Sequence, residues 1–218
     1  MAPRFLQCIT IATLTLSCAA LSVADDSDKQ ISWRMLDASK RLDAMQTRQL
    51  IEAGAAVNAR DREGETPLMI WVKAQNEEMV VWLLGKGANV NQAAVNETTP
   101  LMAGAYAGNA RIIRLLLDAG AEVDRVDHVF KNAMIYAAAQ GHVEVVKLLL
   151  DRGVDVNRTY AHGLTALMWA AGYGKAECVK LLLDRHADAG LRDDRGKSAA
   201  DIAREQGKQE VVALLEKR

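Results

Sequence analysis

The feature that most constrains this chain is a period. The triplet Thr66-Pro67-Leu68 returns as Thr99-Pro100-Leu101, Asn132-Ala133-Met134, Thr165-Ala166-Leu167 and Ser198-Ala199-Ala200, each step 33 residues. Gly54, Gly87, Gly120 and Gly153 keep the same step, with His186 in the fifth place. Val57, Val90, Val123 and Val156 follow three residues behind, and Asn58, Asn91, Asp124 and Asn157 come next. No insertion breaks the frame from about Trp33 to Arg218. Such self-similarity means a small unit that cannot bury its apolar face alone and must stack on copies of itself.

Each unit reads as a short helix followed by a longer one with apolar residues at helical spacing. Threonine before proline is a favourable helix entry, because the hydroxyl caps free N–H groups and proline suits the first turn. The glycine after the second helix suits a left-handed C-terminal cap. The column Leu83, Leu116, Leu149, Leu182 and Leu215 is apolar throughout. Its neighbour runs Ile51, Leu84, Leu117, Leu150, Leu183 and then Glu216, while Gln46, Thr47 and Gln49 enter core columns at the other end. Polar residues in core columns at both ends are expected of capping units, so the array is expected to be complete.

The stretches "GHVEVVKLLLDRGVDVN" (141–157) and "ETPLM" (65–69) resemble the ankyrin repeat, and the resemblance covers nearly all of the chain after residue 31. It implies an all-α repeat solenoid, an ankyrin array in which each unit is a β-turn finger followed by two antiparallel helices. About six units are expected: 32–59 as N-terminal cap, 60–92, 93–125, 126–158, 159–191, and 192–218 as C-terminal cap.

The N-terminus reads differently. Arg4 is followed by an apolar run from Phe5 to about Leu21 and by Ser22-Val23-Ala24, with small residues where a signal peptidase cuts. Residues 1–24 are therefore expected to be a cleaved export signal, followed by a polar linker over 25–31. Lipidation at Cys18 is disfavoured, because Thr15-Leu16-Ser17 lacks leucine at the first of the three positions before the cysteine. Loss of 1–24 removes Arg4 alone among the charged residues, leaving 26 of 27 basic residues against 28 acidic ones, a net charge of −2. That balance gives no reason to expect a nucleic-acid or anionic-membrane partner. Cys178, the one cysteine left, has no partner for an internal disulfide.

Several residues invite chemical readings that the repeat frame explains otherwise. Trp71 falls in the column of Gly104, Ala137, Ala170 and Ala203, where it is expected to pack over Gly104. Trp169 shares its column with Ile70, Ala103, Tyr136 and Ile202 and is expected to be a packing residue. Met69, Met102 and Met168 read as interior fillers, and Cys178, aligned with Met79, Ile112, Val145 and Val211, as a buried thiol of raised pKa. His142 opens a second helix, and its role is expected to be structural. His128 and His162 lie near successive finger tips, but two histidines without carboxylate or thiol company make a poor zinc site. "GKS" at 196–198 has Leu191 where a phosphate loop needs glycine. No catalytic, metal or cofactor-binding residue is expected.

The resemblance implies that a protein partner lies along a concave face of finger tips and first helices. Glu97 and Phe130 stand where other fingers have glycine, and Ala94 and Tyr160 where aspartate is usual. Turns lose an easy left-handed residue there. The candidate contact residues are Val95, Asn96, Tyr106, His128, Phe130, Lys131, Gln140, Tyr160, His162 and Tyr173. Exposed aromatics amid charged flanks suit an interface core and rim; drift in a surface loop is the competing reading. The expected function is a monomeric, non-enzymatic protein-binding module in a bacterial periplasm. The alternatives are an inhibitor or immunity protein for an exported toxin or enzyme, and an envelope-stress or redox accessory factor.

Overall fold

The computed structural model describes residues 28–217, so the expected signal (1–24) and Cys18 lie outside the described residues. Helix α1 is described over 28–40, so residues 28–31, expected in a polar linker, are helical. Helix α2 is Ala44–Glu52. Five helix pairs follow. A front row holds α3 (Pro67–Lys73), α5 (Pro100–Ala107), α7 (Ala133–Gln140), α9 (Ala166–Gly172) and α11 (Ala199–Glu205). A back row holds α4 (Glu77–Gly85), α6 (Ala110–Asp118), α8 (Val143–Asp151), α10 (Ala176–Asp184) and α12 (Gln209–Glu216). Each helix packs on its partner in the pair and on the next helix in its own row. Among the described residues there is no strand.

Helices of this length are marginal alone, and their ends show what fixes them. Thr66, Thr99, Asn132, Thr165 and Ser198 each cap a front-row helix by accepting an N–H three residues on. In the last of these, Asp201 returns the bond to the Ser198 N–H, which with Arg204 holds the Asp201 carboxyl down to about 2. Front-row helices bring small residues together, with Ala105, Ala137, Ala138, Ala170, Ala171 and Ala203 fully buried. Back-row helices contribute Leu83, Leu116, Leu149 and Leu182, also fully buried, to the same continuous core.

Asn76 and Asn109 cap their own back-row helices, whereas His142, Lys175 and Lys208, in the same column, make no side-chain cap. They lie across the glycine of the preceding unit instead. A Cβ on Gly108 would stand 2.4 Å from the His142 ring, at a φ of +86° that a side chain rarely adopts. His142 Nε2 donates to the Tyr106 carbonyl at 2.9 Å, so its structural role is as expected.

Two packing positions gain detail, and one expectation needs correction. The three atoms nearest a Cβ on Gly104 belong to Ile113, Val72 and Leu116, and Trp71 is buried with its indole N–H unpartnered. Thr47 is a buried residue, not an exposed polar end, because α1 covers it and its hydroxyl meets that of Ser39 at 3.2 Å. A small second cluster of Met35, Leu36, Ala38, Leu50, Ala55 and Ile70 closes this end. Lys40 of α1 reaches Asp61 of the first finger at 2.8 Å.

Candidate protein-binding face

Between helix pairs run five loops, 53–66, 86–99, 119–132, 152–165 and 185–198, each carrying a finger. Every finger is one tight turn, as where Asp127 N–H donates to the Lys131 carbonyl at 2.9 Å and Asp193 N–H to the Lys197 carbonyl at 2.9 Å. Asp61, Asp127 and Asp193 brace the turn further by accepting backbone N–H groups with the side chain. One column of the turns is left-handed throughout: Gly64, Gly163 and Gly196, but also Glu97 at φ 62° and Phe130 at φ 59°; in the fourth turn His162 is left-handed as well. The strained, non-glycine turns expected from the sequence are present in the second and third fingers.

Successive fingers are tied side by side. Val95 N–H donates to the Glu63 carbonyl at 2.9 Å, His128 N–H to the Asn96 carbonyl at 3.3 Å, and Asp194 N–H to the His162 carbonyl at 3.0 Å. The His128 ring adds an Nδ1–H bond to the same Asn96 carbonyl at 3.0 Å, which fixes its tautomer. At the base of the loops an asparagine repeats the tie: Asn58 Nδ2 donates to the Gly87 carbonyl while its Oδ1 accepts from Asn89 N–H. Asn91 and Asn157 do the same for Gly120 with Glu122, and for His186 with Asp188. These clamps were visible in the sequence as a column of Asn58, Asn91, Asp124 and Asn157, without their role.

On this framework the candidate residues divide. Val95 (69 % exposed), Tyr106 (57 %), Phe130 (62 %) and Tyr173 (54 %) stand out from the surface, as do Asn96, His128 and His162. Lys131, Gln140 and Tyr160 are half-buried. Tyr160 is turned into the stack, where its hydroxyl accepts from Asn132 Nδ2 at 2.8 Å and burial raises its pKa. It is a structural strut.

The structure joins Tyr106, Lys131 and Tyr173 through two residues the sequence reading left in the interior, Tyr136 and Trp169. Tyr106 meets Tyr136 edge to face at 6.0 Å, and Trp169 stacks on Tyr173 at 5.9 Å. Between them the Lys131 ammonium lies 4.5 Å from the Trp169 ring centre and 5.9 Å from that of Tyr136. Trp169 is therefore half-buried and part of the face, which its column of apolar packing residues hid. Tyr136 donates its hydroxyl to buried Asp127, and burial together with that carboxylate raises its pKa far above the usual phenol range. Two notches flank this row. One, of about 540 Å³, lies over Met102, Ala103 and Ala107 between Tyr106, Tyr136 and Lys73. The other, of about 480 Å³, lies over Met168, Gly172 and Ile202 beside Trp169 and Tyr173.

Cys178 is fully buried and burial pushes its thiol up to about 11, so it is not a nucleophile at neutral pH. Among the described residues no group of three or more His, Cys, Asp or Glu side chains could hold a metal ion, and no helix is long and apolar enough to cross a membrane.

Paired helices in two rows, with fingers projecting between pairs, define a helical repeat solenoid. The family model described as "Ankyrin repeats (3 copies)" matches residues 35–127, 92–160 and 134–218. The chain belongs to the ankyrin repeat family, a protein–protein interaction scaffold that is typically non-enzymatic. A comparison with curated proteins finds no match.

Proposed function

We propose that this chain is a monomeric, non-enzymatic binding module of a bacterial periplasm that holds a protein partner against its fingers and front-row helices. One observation carries the reading. In the middle of the array Tyr106, Tyr136, Trp169 and Tyr173 form a half-exposed aromatic row between two notches, in units whose neighbours present paired charges such as Lys73–Glu65 and Lys197–Glu205. Interfaces gather their energy in such central aromatic clusters with a polar rim. Export rests on the pattern of Arg4, the apolar run and Ser22-Val23-Ala24.

The test is affinity capture from periplasmic extract with the wild-type protein and with the Tyr106→Ala, Tyr173→Ala double variant. Both tyrosines are more than half exposed, so the thermal midpoint should hardly change while partner capture is lost. Capture that survives the double change would place the binding surface elsewhere.

A further inference from the structure

We infer that the partner presents to the middle of this face an acidic side chain flanked by large apolar ones. This rests on the reading of the face as the binding surface and specifies what that surface recognises.

The charge inventory is short. Across segments 94–107, 127–140 and 160–173 there are two carboxylates, Glu97 and Asp127, and one ammonium or guanidinium, Lys131. Glu97 is ion-paired with Arg125 at 3.3 Å. Asp127 is buried, with one oxygen taking the N–H groups of Val129 and Lys131 and the other the Tyr136 hydroxyl. Of the flanking cations, Lys40, Lys73, Arg195 and Lys197 have carboxylate partners, while Lys208, at the edge of the second notch, lies across Gly174. Lys131 is held by aromatic rings alone. An ammonium on a ring face keeps its donors, so a carboxylate can bind it without displacing an internal partner.

The two notches set what lies beside that carboxylate. Tyr136 lines the first notch and Trp169 the second, and Lys131 stands over both rings. An extended chain advances roughly 3.3 Å per residue, so an acid at Lys131 has its neighbours one or two positions away within reach of each notch. The notch floors of Met102 and Ala103, and of Met168 and Ile202, are apolar. Stacked bases of a single-stranded nucleic acid would also suit the rings, but tracking a phosphate backbone needs a groove of cations; between the notches there is Lys131, and of the cations lining them Lys73 and Arg195 are already paired with Glu65 and Asp193, leaving Lys208.

The experiment pans a random peptide library on the full chain, on the Lys131→Met variant and on the Tyr106→Ala, Tyr173→Ala variant. On the wild type, recovered peptides should be enriched in Asp or Glu between large apolar residues, and recovery should fall on the tyrosine variant. Lys131→Met keeps the apolar stem on Trp169; it should abolish the acidic preference, retain the apolar one, and weaken individual acidic peptides about ten-fold. Tyrosine-dependent peptides without acid enrichment, an unchanged acidic preference on Lys131→Met, or Lys131-dependent binding of a labelled oligothymidylate would overturn the inference. Failure to recover any tyrosine-dependent peptide would instead overturn the assignment of the face, and the inference with it.

Discussion

Phe130 holds a left-handed backbone, φ 59°, with its ring 62 % exposed, so neither conformation nor core packing explains an aromatic residue there. A left-handed L-residue costs about 1–2 kcal/mol, which glycine avoids. Phe130→Gly should therefore raise the thermal midpoint by a few degrees, measured calorimetrically, while weakening capture of the partner. A higher midpoint with undiminished capture would make Phe130 a product of drift. The strain itself was legible, because Gly64, Gly163 and Gly196 occupy the same column as Glu97 and Phe130. The placement of Tyr160 was not. Its ring follows the hydroxyl to Asn132 in the preceding loop, a contact that only the stacked geometry creates. Trp169 misled for a related reason: a column shows which way a side chain points but not how far a large ring extends past the core.

The loops are not joined equally. Asparagine clamps and finger-to-finger bonds tie the first loop to the second, the second to the third, and the fourth to the fifth. Among the described residues the third and fourth, 119–132 and 152–165, share neither. Asp124 has no amide to donate to the Gly153 carbonyl and pairs with Arg158 instead. In the fourth finger His162 and Gly163 are both left-handed, at φ 61° and 68°. What remains between these loops is the Arg158–Asp124 pair and the Asn132–Tyr160 bond. Asp124→Asn should restore the clamp. Two hydrogen bonds of about 1 kcal/mol each replace an exposed ion pair contributing about 0–1 kcal/mol, so the thermal midpoint should rise by a few degrees. An unchanged or lower midpoint would show that the joint is limited by the fourth finger's turn and not by the missing amide. The substitution of aspartate in an asparagine column was plain in the sequence. Its consequence was not, because the clamp spans units about 30 residues apart in the chain.

At the scale of the molecule, period and caps were sufficient to read the solenoid. Each helix is short, each front-row entry is marked by Thr, Ser or Asn, and each apolar column runs through successive units, so local and global signals agree. The exposed apolar side chains of the proposed face, Val95, Tyr106, Phe130 and Tyr173, were legible in outline. Its centre was not, because Lys131, Tyr136 and Trp169 come from two units and become one feature only when those units stack.

The central claim is that this face, and not the back row, meets the partner. Backbone hydrogen exchange of the protein alone and with its captured partner tests it most directly. The account expects added protection in fingers 94–98 and 127–131 and at the C-terminal ends of α5 and α9, with α6, α8 and α10 unchanged. Protection confined to the back-row helices would contradict it.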